Sequence, residues 1–189
     1  MATPRSFESR LLLRFCRKPG SADYPMSGVH YDQGKELEKL REAFPNITTE
    51  VAGQVVMDYG CGFGYQAVAL AEHAQLVYGI EINESCVAAA KALAEARNAA
   101  DRTIFALRLT DGMKADAIVS RNSFEHFPQP RETLAEMAGA LSPRGRLYIT
   151  FSPPWYSPWG AHMGYFCKIP WVHLLFSETA VMTAPSVPT

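Results

Sequence analysis

The sequence predicts an α/β domain built on a doubly wound, mostly parallel β-sheet. Short apolar runs of strand length alternate along the chain with helical patterns, which is the order expected of βαβ units. The first apolar run, residues 54–57, leads into three glycines at alternate positions, Gly60, Gly62 and Gly64. A helical pattern follows at once, and a strand, a glycine loop and a helix in this order are typical of nucleotide sites.

An acidic residue just ahead of the glycine loop narrows the choice of ligand. Asp58 lies two residues before Gly60. A carboxylate at this point would repel a dinucleotide pyrophosphate, whereas it favours a ligand with an ammonium group and no phosphate. The spacing G-x-G-x-G also differs from the dinucleotide fingerprint G-x-G-x-x-G.

A second apolar run, residues 75–80, ends at another acid, Glu81. Glu81 lies 17 residues after Gly64, close to the spacing of about 20 residues at which an acid accepts hydrogen bonds from ribose hydroxyls. Asn83 is a suitable N-cap for a helix over residues 84–98. The ordered combination predicts a nucleoside site, and the alternative is a structural turn without a ligand.

The segment from Asp58 to Gly64 resembles motif I of the class I S-adenosylmethionine-dependent methyltransferases. The resemblance implies a Rossmann-like sheet of strand order 3-2-1-4-5 and S-adenosyl-L-methionine as cofactor. The residues it places around the cofactor are Asp58, Tyr59, Gly60, Cys61, Gly62, Gly64, Glu81, Ile82, Asp111, Gly112 and Asn122. It also implies methyl transfer to a small-molecule acceptor. The alternatives are a cofactor-binding module with weak or no activity and an NAD-dependent dehydrogenase-like nucleotide binder.

Three further strands complete the predicted sheet, over residues 103–109, 115–120 and 146–151. The resemblance implies that an acid near Asp111 and Gly112 accepts a hydrogen bond from the adenine amino group, and an ordinary Asp-Gly turn is the alternative. A helix is predicted over residues 131–141. The sequence Ser-Pro-Arg-Gly at 142–145 predicts the turn into strand five.

Two histidines are candidates for accepting a proton from the methyl acceptor. His126 follows Asn122 at the predicted carboxyl end of strand four, where ligands of open α/β sheets bind. His162 lies in segment 152–168, which is rich in aromatic residues and proline and lies where the family builds its acceptor pocket. Helix capping or orientation of Glu125 is the alternative role for His126, and a Trp-rich packing loop is the alternative for the segment.

Two connections are shorter than the family pattern implies. Only three residues separate Asp111 from strand four, whereas parallel crossovers normally take a dozen or more residues and a helix. Either strand three ends near Leu107 and an extended segment crosses the sheet, or a crossover helix is missing. After a predicted helix over residues 169–181, no alternating run remains for the usual C-terminal hairpin strands. Strand five then has an exposed edge, which predicts possible self-association.

Composition limits the remaining function classes. The net charge is −1 and 20% of the residues are charged, so no basic field indicates nucleic acid as a partner. The four cysteines lack metal-ligand spacing, which favours reduced thiols, a cytoplasmic location and no metal site. No run reaches the ~20 apolar residues of a membrane span, so no stable membrane insertion is expected.

The predicted domain organisation is an N-terminal extension (1–29), a methyltransferase-like domain (30–175) and a tail (176–189). The extension is basic and partly apolar, with arginines flanking Leu11, Leu12 and Leu13. A transit peptide or a membrane-surface helix is one interpretation, but Glu8 and the short apolar run disfavour it. A helix that packs on the domain, or a frayed end, is the preferred prediction.

Overall fold

The computed structural model describes residues 6–15, 32–151, 153–160, 167 and 169–183. The chain divides into two compact units: a larger unit, Tyr31–Phe151, and a smaller unit that combines Met1–His30 with Ser152–Thr189. The first division lies next to the predicted boundary at residue 30, whereas the second lies at Phe151 and not at residue 175. Within the described ranges, no helix has the length and apolar character needed to cross a membrane.

A five-stranded, all-parallel sheet forms the centre of the larger unit. Its strands are β1 (Val55–Tyr59), β2 (Leu76–Ile80), β3 (Thr103–Ala106), β4 (Ala115–Arg121) and β5 (Leu141–Thr150). The spatial order β3-β2-β1-β4-β5 confirms the predicted order. The strand order reverses between β1 and β4, and open α/β sheets bind their ligands at the carboxyl ends of the strands at such a point.

Helices cover both faces of this sheet. They are α2 (Gln33–Ala43), α3 (Ile47–Glu50), α4 (Tyr65–Leu70), α5 (Glu84–Ala96) and α6 (Pro130–Ala140). Because side chains alternate along a strand, β1 sends Val56 into the core shared with α2 to α5 and Met57 into the core shared with α6. The central strands β1 and β4 are buried on both faces, which explains their nearly continuous apolar sequences.

The connection from β3 to β4 contains no helix. β3 ends at Ala106 and β4 begins at Ala115. The strand registers place Ala106 about level with Ser120, so the chain must descend five residues and cross three strand positions, a diagonal of roughly 22 Å. Nine extended steps span roughly 30 Å. The first predicted alternative, an early end of strand three followed by an extended crossover, is therefore confirmed.

The extended crossover also takes part in the core. Leu109 and Met113 pack against the buried cluster on the α6 face of the sheet, which includes Met57 and Ile118. These two side chains supply part of the apolar cover that a crossover helix would otherwise provide. The short connection is thus compatible with a closed core on this face.

β5 begins earlier than predicted, at Leu141. Leu141 pairs with Ala115 and Arg146 pairs with Ala117, so residues 142–145 lie opposite a single residue of β4. This arrangement is a bulge within the strand, where a turn before the strand was predicted. The predicted turn residues still mark the point where regular pairing is interrupted.

The smaller unit contains α1 (Phe7–Phe15), a 3₁₀ turn (Val172–Leu175) and α7 (Glu178–Thr183). Its buried cluster consists of Leu12, Cys167, Val172 and Val181. The single helix predicted over residues 169–181 is wrong. The chain is interrupted before α7, where Ser177 Oγ accepts a hydrogen bond from Ala180 N at 3.3 Å, because a serine at this point favours a new helix start over continuation.

Candidate functional site

The glycine loop connects β1 to α4 at the carboxyl edge of the sheet. Gly60, Gly62 and Gly64 have φ values of 81°, 51° and 75°, which residues with a side chain rarely adopt. A Cβ on Gly60 would lie 2.6 Å from Ser123 Cβ, and one on Gly64 would lie 2.7 Å from Ala90 Cβ. A Cβ on Gly62 would meet no atom within 4 Å. Packing therefore requires the first and third glycines, while Gly62 borders open space that a ligand can enter.

Four amide groups of the loop form hydrogen bonds inside the protein. Gly60 N and Cys61 N both donate to Ile80 O, at 2.8 and 3.0 Å, and Gly64 N donates to Cys61 O at 2.9 Å. Gly62 N donates to Glu81 Oε2 at 3.0 Å. Loops that cradle phosphate present their N–H groups to the ligand. Three of the four donors in this loop are instead directed to Ile80 and Glu81 at the end of β2, and Gly64 N bonds within the loop.

Glu81 is held in place by two backbone N–H groups. Gly62 N donates to Oε2, and Asn83 N donates to Oε1 at 2.9 Å. These donors orient the carboxylate and leave each oxygen able to accept another hydrogen bond. An oriented carboxylate of this kind is suited to two adjacent hydroxyl groups, such as those of a ribose. The next side chain, Ile82, is 87% exposed and offers an apolar surface beside the acid.

Unlike the partly exposed Glu81, Asp58 is buried near the end of β1. Burial raises the pKa of its carboxyl group from 3.8 to about 7, and the nearby charges of Glu81 and Glu36 add to the increase. The backbone N–H of Ala67 hydrogen-bonds the carboxylate and opposes part of this shift. Asp58 therefore sits against the first turn of α4, the end of a helix that favours negative charge. A dinucleotide pyrophosphate binds at the corresponding helix end.

The side chains of Tyr59 and Cys61 pack or form hydrogen bonds inside the larger unit. Tyr59 OH donates to Glu136 Oε2 of α6 at 2.7 Å, and its ring lies edge-on to Phe127 with centroids 5.6 Å apart. Burial, with Glu136 nearby, raises the Tyr59 pKa. Burial together with the charges of Asp58 and Glu81 raises the pKa of the Cys61 thiol, which disfavours the nucleophilic thiolate form at neutral pH. Cofactor contact by either residue stays a prediction.

Hydrogen bonds connect the residues after β4 both to the carboxyl end of β5 and to the glycine loop. Asn122 has a φ of 51°, and its N–H donates to Thr150 O at 3.1 Å while its Oδ1 accepts from Thr150 Oγ1 at 3.2 Å. Ser123 Oγ donates to Gly60 O at 2.9 Å. Asn122 thus follows β4 at the point where the strand order reverses, and its contact with the cofactor stays a prediction.

An aromatic cavity of about 260 Å³ lies at the same edge of the sheet. Its lining residues are Phe124, Glu125, Phe127, Pro130 and Phe151. His126 is exposed in the 3₁₀ turn Phe124–His126 that forms part of this wall. Sequence reasoning missed this cavity because its phenylalanines come from separate segments and each resembles an ordinary core residue.

The predicted aromatic acceptor segment, 152–168, belongs to the smaller unit. His162 lies outside the described residues. The aromatic wall that the structure places inside the larger unit is therefore the one around Phe124 and Phe151.

Asp111 and Gly112 are exposed in the crossover, beyond the end of β3. A cavity of about 470 Å³ lies nearer that strand end, between α5 and residues 105–110, and neither Asp111 nor Gly112 lines it. Ala106 is adjacent to Glu81, the acid predicted to bind the ribose hydroxyls, because Glu81 N donates a hydrogen bond to Ala106 O at 3.1 Å. The adenine role of Asp111 stays a prediction. The strand register places Ala106 beside Ile80, so the residues after β3 that line this cavity lie close to Glu81.

Comparison with known proteins matches residues 57–149 to the methyltransferase domain family. Ubiquinone biosynthesis O-methyltransferase of Coxiella burnetii is 32% identical over 102 residues, which cover 52% of this chain and 43% of that protein. The protein of the same name from Idiomarina loihiensis is 30% identical over 131 residues, which cover 64% of this chain and 54% of that protein. The chain thus spans about half the length of these curated relatives.

Solved structures share the fold of this chain. A S-adenosylmethionine-dependent methyltransferase from Geobacter sulfurreducens, in complex with S-adenosyl-L-homocysteine, has a TM-score of 0.50 and 22% identity, and the match covers 63% of this chain and 49% of that chain. Its counterpart from Thiobacillus denitrificans has a TM-score of 0.50 and 20% identity, over 77% of this chain and 54% of that chain. The matched family segment contains the glycine loop, Glu81 and the end of β4. Over residues 57–149 the chain therefore matches the methyltransferase domain family, and its fold is that of S-adenosylmethionine-dependent methyltransferases.

Proposed function

We propose that the larger unit binds S-adenosyl-L-methionine at the glycine loop and transfers its methyl group to a small-molecule acceptor. The observation that carries this proposal is the fixed carboxylate of Glu81. Its hydrogen bonds to Gly62 N and Asn83 N aim it at the loop, beside the open space at Gly62. A nucleoside with two free ribose hydroxyls is the ligand that this arrangement fits.

The charges around the loop support a cationic ligand. Three carboxylates interact electrostatically here, since Glu81 and Glu36 both raise the pKa of Asp58. Glu36 is buried on α2 and is paired with Lys39 at 2.5 Å. S-adenosyl-L-methionine carries a sulfonium and an ammonium group, and both are stabilised by nearby negative charge. The residues present therefore fit this cofactor.

The same features argue against NAD. Asp58 already interacts with the first turn of α4 through Ala67 N, and the loop donors Gly60 N and Cys61 N are bonded to Ile80 O. A pyrophosphate would have to displace these interactions and approach a cluster of carboxylates. Both requirements oppose binding of a dinucleotide.

The aromatic cavity supports an apolar or planar acceptor. Phe124 contacts Phe127 and Phe151, with ring centroids 5.7 and 6.4 Å apart, and rings of this kind favour a flat apolar group. We assign His126, on the same turn, as the group that accepts the acceptor's proton. The relatives from Coxiella and Idiomarina are named for O-methylation in ubiquinone biosynthesis, and an oxygen acceptor on an apolar ring agrees with this cavity.

When bound, S-adenosyl-L-methionine supplies an electrophilic methyl group on its sulfonium. The larger unit would bind the nucleoside end through Glu81, place negative charge near the cationic end through Asp58, and hold the acceptor among the three phenylalanines. Positioning and exclusion of water account for much of the acceleration in such a reaction. We further propose a cytoplasmic location and self-association through the outer edge of β5, which pairs with no other strand in the described residues.

Calorimetric titration with S-adenosyl-L-methionine, followed by transfer of labelled methyl groups to a panel of phenols and amines, tests this function. Binding with turnover on at least one apolar acceptor is the expected result. His126→Ala should lower kcat on the order of 10²-fold or more and leave cofactor affinity unchanged. Cofactor binding without turnover on any acceptor would favour the binding-module alternative, and absence of cofactor binding would refute the proposal.

A further inference from the structure

The smaller unit exposes many apolar side chains. Eight of the thirteen large hydrophobic side chains that are exposed in the described residues belong to it, although it contributes far fewer described residues than the larger unit. Tyr156 and Leu175 are each 80% exposed. Concentrated exposure of this kind marks a surface that contacts something other than water.

Helix α1 carries part of this surface. Phe7, Arg10, Leu11 and Arg14 recur at helical spacing on one face, and all four are exposed. The opposite face is used for packing, because Leu12 lies in the buried cluster of the smaller unit. The outward face of α1 therefore presents apolar and basic side chains together, and these side chains can contact the acyl boundary and the anionic headgroups of a membrane surface, respectively.

The acidic residue of α1 does not offset these arginines on the outward face. Glu8 Oε2 accepts hydrogen bonds from Ser177 N, at 3.4 Å, and from Ser177 Oγ. Ser177 precedes α7, and the start of a helix favours a carboxylate. Glu8, which in the sequence disfavours a membrane-surface helix, is thus used to link α1 to α7.

A second part of the surface is the turn before α7. Trp171 is exposed and has a φ of 58°, a conformation that a bulky residue keeps only when its surroundings hold it. Its backbone N–H donates to Pro158 O at 2.8 Å and its indole Nε1 donates to Tyr156 O at 3.2 Å. Leu174 and Leu175 follow and are exposed. The turn thus presents two exposed leucine side chains close to an indole that is held by its hydrogen bond to Tyr156 O.

We propose that the smaller unit binds the surface of a membrane that contains anionic lipids. The binding surface, here called the lipid-facing surface, consists of Phe7, Arg10, Leu11 and Arg14 of α1 with Trp171, Leu174 and Leu175 of the turn. Leu12 of α1 and Val172 of the turn share one buried cluster, so the two parts are neighbours.

The chemistry of this surface selects a lipid layer. Indole rings prefer the headgroup level, and leucine side chains that protrude enter the acyl boundary. Arginines are attracted to anionic headgroups. Stable peripheral attachment takes an apolar and an electrostatic signal together, and this surface carries both. The proposal concerns peripheral attachment and is independent of methyl transfer.

Sedimentation of the full chain with vesicles tests the proposal. We expect strong binding to phosphatidylcholine vesicles that contain phosphatidylglycerol, weak binding to phosphatidylcholine alone, and loss of binding at high salt. The double variant Arg10→Gln/Arg14→Gln should weaken binding roughly 30-fold. The double variant Leu174→Ser/Leu175→Ser should weaken it by at least a similar factor.

Matched variants in the larger unit serve as controls. Lys35→Gln/Arg131→Gln removes two exposed charges, and Ile104→Ser removes an exposed apolar side chain; neither should change vesicle binding. Circular dichroism verifies that each variant is folded. Equal loss with the control variants, equal binding to both vesicle types, or no binding by the parent chain would overturn the proposal.

Sedimentation velocity without vesicles identifies a competing occupant of the lipid-facing surface. We expect the parent chain and Leu174→Ser/Leu175→Ser to have the same oligomeric state. If the parent chain is a dimer that this variant converts to a monomer, and it does not bind vesicles, the surface is an interface between two copies and the proposal is wrong.

Discussion

Asp58 and Glu81 end adjacent parallel strands of the same sheet, and they have opposite environments. Asp58 is buried and hydrogen-bonded to the first turn of α4. Glu81 is partly exposed, and two backbone N–H groups fix its orientation. The difference shows that a carboxylate near a glycine loop can have either of two roles. A buried carboxylate such as Asp58 sets the charge and geometry of the loop from inside the protein. A partly exposed and oriented carboxylate such as Glu81 presents acceptor oxygens to a ligand.

The largest expected effect comes from the ionisation of Asp58. Its folded-state pKa of about 7 lies above the ordinary value of 3.8. The stability that Asp58 contributes is therefore present below pH 3.8 and is lost as the pH rises through about 7, with a total change on the order of 4 kcal/mol. Asp58→Asn should remove most of this pH dependence, and chemical unfolding at acidic and alkaline pH, followed by circular dichroism, measures it.

Asp116→Asn is a suitable control for this measurement, since Asp116 lies on β4 in the same sheet and hydrogen-bonds Val55 N at 3.1 Å. It should leave the alkaline decrease in stability in place. An unfolding free energy of Asp58→Asn that falls with pH as steeply as that of the parent chain would contradict the internal role of Asp58.

The second effect concerns Glu81. Glu81→Gln should weaken S-adenosyl-L-methionine binding by about 1.5–3 kcal/mol, because hydrogen bonds to a charged acceptor are replaced by weaker ones. The melting temperature should change little. Calorimetry on this variant beside Glu95→Gln, an exposed acid of α5, distinguishes a ligand contact from a general charge effect. Equal affinities in all three proteins would show that Glu81 serves the loop only.

The third effect separates packing from ligand access within the glycine loop. Gly60→Ala should destabilise the larger unit by about 1–3 kcal/mol, because its Cβ would lie 2.6 Å from Ser123 Cβ at a φ of 81°. Gly62→Ala meets no atom within 4 Å and should cost less stability but reduce cofactor affinity. Thermal unfolding and titration of both variants test this. If Gly60→Ala reduced cofactor affinity and Gly62→Ala reduced only stability, the ligand would not bind beside Gly62.

Local features of the sequence were sufficient to predict the strands and the two acids: apolar runs with the length of a strand, a glycine spacing that demands positive φ, and an acid at each strand end. The order of the strands in the sheet was implied by the resemblance to the methyltransferase family. The separate roles of Asp58 and Glu81 could not be predicted from the sequence. They depend on Ala67 N and Gly62 N, whose positions follow only from the folded loop.

Longer-range features were harder to predict. Only three residues separated Asp111 from the predicted strand four. The conflict with the length of a parallel crossover was resolved because β3 stops at Ala106 and pairs over only four residues. The aromatic cavity was missed because Phe124 and Phe151 lie far apart in sequence and meet at adjacent strand ends. Single-sequence patterns contain no direct signal for such contacts.

The smallest effect is expected at Tyr59, next to Asp58 in β1. Tyr59→Phe removes a hydrogen bond to Glu136 that is accessible to solvent and should cost about 0.5–1 kcal/mol of stability. Cofactor affinity should not change, since the side chain is directed to α6. Thermal unfolding and titration of this variant test both statements, and a marked loss of affinity would assign the Tyr59 side chain to the cofactor site.

The central claim is that the carboxylates at the ends of β1 and β2 select a cationic nucleoside over a dinucleotide. Parallel calorimetric titrations of the parent chain and Asp58→Asn with S-adenosyl-L-methionine and NAD at pH above 7 test it most directly. The parent chain should bind S-adenosyl-L-methionine more tightly than NAD, and Asp58→Asn should narrow that difference. Tighter binding of NAD by the parent chain, or a preference that Asp58→Asn leaves unchanged, would contradict the claim.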